Sequence, residues 1–341
     1  MKRYLSIVIM ALLTLTACEY KELCYTHSEH AHRYHINVIA DYRHDWEECH
    51  EGPNWKEIWP EHYVDYDSLR PKMPTGLRAV AYNKKGDYNI NNIKPNGGIV
   101  TLYEGVNDIL FYNNDTEYIV FMRTGDGVTT RVTTRATTRS RTRASYTGSP
   151  YANEGEPTLT PPDMLYANYI EDHEAEKVVT PIDVAVTLQP VVFTYKVRFE
   201  FERGLEYVAL ARGVLTGMAK SVSLNTGITS DEPASLLFDC EMTEFGARAF
   251  VNSFGIPSST NPNYGSRAVN KHALTLELLL KNGKTLTFDY DITEQMSIQP
   301  RGGVIVIDGI TIEEEVGEEG SGIFDVEVDD WGEYEDVEIQ I

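Results

Sequence analysis

The apolar residues of this chain fall in short runs rich in β-branched and aromatic side chains, each closed by Gly, Asn or Asp. No stretch sustains the 3.6-residue period of a long amphipathic helix, so the pattern predicts an antiparallel all-β fold. Tyr34, Ile36, Val38 and Ala40 alternate with His35, Asn37 and Ile39 as in a half-buried strand. Leu77–Tyr82 ends in the turn 83–87, Ile99–Tyr103 in Glu104-Gly105, and Asp108–Tyr112 in 113–115, with Tyr118–Met122 closing the series. A second block begins near Val178. Within it, Val197, Phe199 and Phe201 are expected inward and Lys196, Arg198 and Glu200 outward. Tyr207–Leu215, Ser221–Leu224, Ser235–Met242, Leu274–Leu280, Thr285–Tyr290 and Val304–Ile310 are further strands. Asn282-Gly283 is a strong two-residue hairpin signal between two of them. Val214–Ala219 and Glu294–Ser297 read as helical turns. At 341 residues the chain is long for one core. The expectation is two antiparallel β-sandwich domains, 34–170 and 171–341, joined around residues 145–180.

The N-terminus has its own logic. Lys2 and Arg3 precede an uncharged apolar run, Leu5–Ala17, too short for a comfortable membrane span, and Leu15-Thr16-Ala17 lead into Cys18. This is the arrangement a lipoprotein signal peptidase reads: residues 1–17 are removed and Cys18 is acylated. Two or three acyl chains, at roughly 0.8 kcal/mol per buried methylene, give durable attachment. The alternative is an ordinary secretory signal with a coincidental cysteine. Residues 18–33 read as a tether, and 43–75, with Trp46, Trp55 and Trp59, as a long irregular loop.

A formal charge of −22 opposes binding to nucleic acid or anionic headgroups. The exception is residues 123–150, where Thr-Thr-Arg recurs at 129–131, 133–135 and 137–139; this reads as an exposed Arg/Thr-rich loop. With Cys18 lipidated, Cys24, Cys49 and Cys240 remain, compatible with a Cys24–Cys49 disulfide and Cys240 as a small apolar strand residue. The tail from residue 313 carries thirteen acidic residues and no Lys or Arg, yet apolar residues alternate through it. Val337, Ile339 and Ile341 fit a terminal strand, either a sheet edge or a strand offered to another subunit.

No nucleophile elbow, phosphate loop, dinucleotide fingerprint or zinc helix occurs, so no catalytic residue is assigned and no cofactor is expected. Seven of the nine histidines lie between His27 and His62, but without a compact four-ligand set; they read as solvated, and no metal is assigned. Acidic pairs in the tail do not form a calcium loop. Trp46, Trp55 and Trp59 could stack on sugar rings, although such residues more often cap a sandwich core. A surface glycan-binding lipoprotein is therefore the second reading.

Several motifs occur together: Cys18-Glu19-Tyr20-Lys21-Glu22-Leu23-Cys24-Tyr25-x-His27, Gly105-Val106-Asn107-Asp108-Ile109-Leu110-Phe111-Tyr112-Asn113-Asn114-Asp115-Thr116-Glu117, Leu215-Thr216-Gly217-Met218-Ala219-Lys220-Ser221-Val222 and Phe324-Asp325-Val326-Glu327-Val328-Asp329-Asp330-Trp331. In these the chain resembles a lipoprotein family of Bacteroides-type bacteria catalogued as a domain of unknown function, itself similar to fimbrillin-like lipoproteins. The resemblance implies two transthyretin-like (Ig-like) β-sandwich domains. It further implies a non-enzymatic, palmitate-bearing outer-membrane lipoprotein at the cell surface, serving as an anchor or accessory subunit of an adhesive fimbria. Its partners would be the membrane, through the Cys18 lipid, and other fimbrial subunits. In such subunits a terminal strand completes a neighbour's sheet, which makes Val337, Ile339 and Ile341 the candidate donor strand. Polymerising fimbrillins are trimmed after an arginine near the first strand. The arginines here lie downstream at 131–143, which favours an anchor over a shaft subunit.

Overall fold

The computed structural model describes residues 33–43, 73–123, 130–137, 155–257, 271–318 and 336–337. The chain opens with β1 (His35–Tyr42), β2 (Leu77–Asn83), β3 (Tyr88–Ile93), β4 (Gly97–Thr101) and β5 (Gly105–Asn113). Four short strands follow: β6 (Ile119–Arg123), β7 (Thr130–Thr134), β8 (Ala136–Thr137) and β9 (Thr158–Leu159). Then come β10 (Tyr166–Ala175) and β11 (Ile182–Pro190). The second half holds β12 (Phe193–Arg203), β13 (Val208–Ala219), β14 (Ser221–Ser223), β15 (Pro233–Thr243), β16 (Gly246–Ser253), β17 (Ala273–Leu280) and β18 (Thr285–Asp291). Helix α1 (Thr293–Ser297), β19 (Gly303–Thr311), helix α2 (Glu314–Glu318) and β20 (Asp336–Val337) complete it.

The first sandwich packs the antiparallel sheet β3-β2-β5-β10 on β11-β1-β4, which meet where β10 and β11 share only Tyr166↔Pro190 and Ala167↔Gln189. Its core takes alternate residues: Ile36 and Val38, Ala79 and Ala81, Ile109 and Phe111, Val186 and Leu188. Each fully buried large side chain of this kind contributes roughly 1.5–3 kcal/mol. The boundary expected at 170/171 falls in the middle of β10, and β11 pairs in parallel with β1. By strand pairing, the first sandwich therefore runs to Pro190.

The second sandwich repeats the first strand for strand. β1 pairs antiparallel with β4 and parallel with β11, as β12 does with β16 and β19. β2 pairs with β3 and β5, as β13 does with β15 and β17. β5 pairs with β10, as β17 does with β18. One local detail recurs as well. Gly97 opens β4 at φ 115°, where a Cβ would lie 1.9 Å from the Val38 carbonyl oxygen; Gly246 opens β16 at φ 145°, where a Cβ would lie 2.1 Å from that of Phe199. In both sandwiches the fourth strand presses so closely on the first that only glycine fits. The long parallel pairs β1–β11 and β12–β19 depart from the expected purely antiparallel order. They arise because first and last strands of each unit are neighbours.

A small sheet, β14-β7-β6, joins the two sandwiches. Val132 of β7 and Val222 of β14 share a core with Val80, Leu110 and Tyr112, with Val191 and Val192 of the connection, and with Phe254. Residues 79–82 and 109–112 are thus buried on both faces, one face in each core, which explains why these stretches are unbroken apolar runs instead of alternating ones. The expected Arg/Thr-rich loop is corrected here over 130–137. Thr130, Thr133 and Thr134 are buried, Thr133 Oγ1 donates to the Lys220 carbonyl at 2.7 Å, and Arg131 Nη1 donates to Ser221 Oγ at 3.3 Å. β-branched threonine suits a strand, and the hydroxyls satisfy themselves on neighbouring backbone. Residues 124–129 and 138–150 lie outside the described residues.

Two further expectations change. Lys196 and Arg198 are each only 4% exposed. The Arg198 guanidinium lies 3.8 Å from the Phe245 ring centroid and pairs with Glu200, while Lys196 stands over Phe250, so aromatic faces and aliphatic stems cover what alternation assigns to solvent. Val214–Ala219 is not a helical turn but the end of β13, irregular between Leu215 and Met218, with Gly217 at φ 78°. Glu294–Ser297 does form a helical turn, within α1.

Candidate functional site

Val337 is the one residue singled out from the sequence as a site candidate whose place the structure describes. β20 pairs antiparallel with β8 through Asp336↔Thr137 and Val337↔Ala136. β8 pairs with β9, and β9 runs parallel to β15 through Ser235↔Thr158 and Leu236↔Leu159. Leu159 is fully buried in the second core, and Ala136 packs against it. The C-terminal strand therefore lies in the chain's own second sandwich, at the outer end of three short strands added to β15. Cys18, Trp46, Trp55, Trp59, Ile339 and Ile341 lie outside the described residues.

Strand-based assembly depends on sheet edges, and β19 is an edge of the second sandwich. In the first sandwich the equivalent strand, β11, touches β10; in the second, two glutamine side chains take that place. Gln295 Nε2 donates to the Val306 carbonyl and Gln295 Oε1 accepts from the Val306 N–H, both at 3.1 Å. Gln299 Nε2 donates to the Val304 carbonyl at 2.8 Å, and Gln299 Oε1 accepts from the Val304 N–H at 2.5 Å. Val304 and Val306 are two residues apart on one edge, and Gln295 and Gln299 are one helical turn apart, so the two primary amides reproduce the pairing of a missing strand. The Tyr195 hydroxyl secures this arrangement by donating to the Gln299 carbonyl at 2.7 Å. Burial pushes that phenol well above its usual pKa. Sequence reading missed this clamp, although the i, i+4 glutamines around Met296 are its trace.

The charged groups are structural in character. Lys84 Nζ contacts Asp108 at 3.0 Å and Asp172 at 2.5 Å, and these carboxylates hold the ammonium above its usual range. The Asp172 N–H donates to Asp108 Oδ1 at 2.8 Å, fixing the irregularity between Ile170 and His173 of β10. Arg212 of β13 pairs with Glu277, its direct cross-strand neighbour on β17, both 2% exposed. Cys240 is a free, partly exposed thiol whose pKa burial raises. Among the described residues no cluster of three or more His, Cys, Asp or Glu side chains could hold a metal ion, and no helix is long and apolar enough to cross a membrane.

Residues 62–239, just over half the chain, match the family described as a domain of unknown function, DUF5119. The chain belongs to this family. Two of the motifs carrying the resemblance, 105–117 and 215–222, lie inside the matched region. A Bacteroides ovatus protein named as a fimbrium anchoring subunit, Fim4B, is 26% identical over 198 residues, covering 56% of this chain and 55% of that protein. The chain thus spans about half the length of the curated relative it matches. A solved structure described as an adhesin from Bacteroides ovatus superposes with a TM-score of 0.53 at 20% identity, covering 87% of this chain and 97% of that one, which establishes a shared fold. The fimbrial anchor protein Mfa2 from Porphyromonas gingivalis is a looser match, with a TM-score of 0.40 at 13% identity over 80% of this chain and 90% of that one.

Proposed function

We propose that this protein is a non-enzymatic, lipid-anchored cell-surface protein that serves as an anchor or accessory subunit of a fimbria-like adhesive assembly. The observation that carries this reading is the similarity to a fimbrium anchoring subunit. The two ends of the chain fit the role. Cys18, acylated after removal of residues 1–17, holds one end in the outer membrane. The apolar-alternating strand through Val337, Ile339 and Ile341 is the end offered to other fimbrial subunits, by release from β8 and addition to a neighbour's sheet.

The test uses the native host. Cys18→Ala should move the protein from the membrane fraction to the soluble fraction, and deleting residues 335–341 should abolish its co-purification with sheared surface filaments. A Cys18→Ala protein that stays in membranes removes the anchor reading. A truncated protein that still co-purifies removes the donor strand. If the intact protein never accompanies filaments, the fimbrial role itself fails.

A further inference from the structure

We propose that the cavity between the two sandwiches is a binding site for a short carboxylated saccharide, a role that does not depend on the fimbrial reading. The cavity has a volume of about 480 Å³, within the usual range for small-ligand sites. Its walls come from segments far apart in the chain: Arg43 after β1, Asn168 and Tyr169 of β10, Gln189 of β11, Asn225 of the turn after β14, and Arg301 before β19. Junctions between packed units are where such sites form.

Three features point to the ligand. First, the chain carries 52 acidic against 30 basic residues, yet this lining contains two arginines and no Asp or Glu. An anion is thus drawn here and repelled by most of the remaining surface. Second, both arginines contact the cavity walls. Arg43 Nη1 donates to Gln189 Oε1 at 3.4 Å, and the Arg301 guanidinium lies 5.9 Å from the Phe193 ring centroid. Positioned guanidinium forks suit a planar carboxylate. Third, the rest of the lining suits hydroxyl groups on a ring. Asn168 is oriented by donating Nδ2 to the Thr187 carbonyl at 2.8 Å, Asn225 accepts the Ser223 hydroxyl on Oδ1, which turns its NH₂ to donate elsewhere, and Tyr169 is a half-buried residue of the wall. Amides, a tyrosine and two cations grouped around one small cavity favour a sugar acid over an extended acidic peptide.

Calorimetry on the full, detergent-solubilised chain tests this with three probes: trigalacturonic acid, the neutral galactose trimer and hexaglutamate. Trigalacturonate should bind, more weakly as salt rises, and the neutral trimer about tenfold more weakly or worse, the weight of one charged hydrogen bond. Arg301→Gln and Asn225→Asp, on exposed or partly exposed positions, should each weaken trigalacturonate binding about tenfold or more while leaving the circular dichroism melt unchanged. Equal binding of the neutral trimer, stronger binding of hexaglutamate, no binding of any probe, or wild-type affinity in both folded variants would each overturn the proposal.

Discussion

The glutamine clamp on β19 makes a sharp prediction. Gln299 is 2% exposed, and its side chain makes three hydrogen bonds: Nε2 to the Val304 and Gln295 carbonyls at 2.8 and 3.0 Å, and Oε1 from the Val304 N–H at 2.5 Å. Gln299→Met keeps the length and most of the volume but leaves the buried Val304 N–H and carbonyl without these partners. Each orphaned buried group costs about 1–3 kcal/mol, so the variant should lose about 2–6 kcal/mol from the transition that reports the second sandwich. Gln299→Glu supplies a further check, because a carboxylate accepts from the Val304 N–H but cannot donate to its carbonyl. Its penalty should shrink as pH falls and the protonated acid regains a donor. The assay is urea unfolding followed by circular dichroism, with the denaturant slope compared to exclude a change in the unfolded state. The double variant Gln295→Ala/Gln299→Ala bares the edge and should self-associate in analytical ultracentrifugation as concentration rises. If Gln299→Met lies within 0.5 kcal/mol of the parent chain, or the double variant stays monomeric at all concentrations, the amides are not substituting for a strand.

Other consequences follow from burial and backbone geometry. Leu110→Ala should cost about 2–5 kcal/mol and Phe111→Ala about 3–5 kcal/mol in thermal or chemical unfolding, because β5 is buried on both faces; a negligible effect of Leu110→Ala would deny the joining layer its packing role. Gly97→Ala and Gly246→Ala should each destabilise their own sandwich by about 2 kcal/mol or more, since a Cβ meets backbone carbonyl in both, and a neutral outcome at either would break the equivalence of the two units. Burial holds the His272 imidazole below its usual pKa, opposed by a hydrogen bond to the Thr216 backbone and the charge of Asp291. As pH falls the unfolded chain takes up this proton first, so the contribution is complete above about 6.5 and is lost as pH drops through the folded value. Unfolding free energy should therefore decline more steeply on acidification in the parent than in His272→Gln, and parallel profiles would refute the assignment.

Much of the fold was legible in local pattern. The alternation at Tyr34–Ala40 marks β1, Asn282-Gly283 marks the β17–β18 hairpin, and the absence of a long helical period excludes the other fold classes. These features are legible because strand alternation and turn chemistry are set by residues adjacent in the chain.

What stayed hidden depends on which faces meet. Lys196 and Arg198 alternate like solvent-facing residues but are covered by Phe250, Phe245 and their own stems. Thr130–Thr134 reads as low complexity and is instead the middle strand of the joining sheet, because its environment comes from Lys220 and Tyr118, distant in sequence. The run at 109–112 is unbroken because both of its faces are buried, but nothing within it names the second layer. The clamp at Gln295 and Gln299 exists only because a helical turn is laid along an open strand edge. Sequence by itself determined most of the strands and turns, governed by short-range geometry. The tertiary structure alone decided the repetition of one seven-strand topology, the closing of one edge by side-chain amides and the placement of two arginines at a shared cavity. The first and last bring residues over a hundred positions apart into contact, and the second needs a helical turn to lie along an open strand edge.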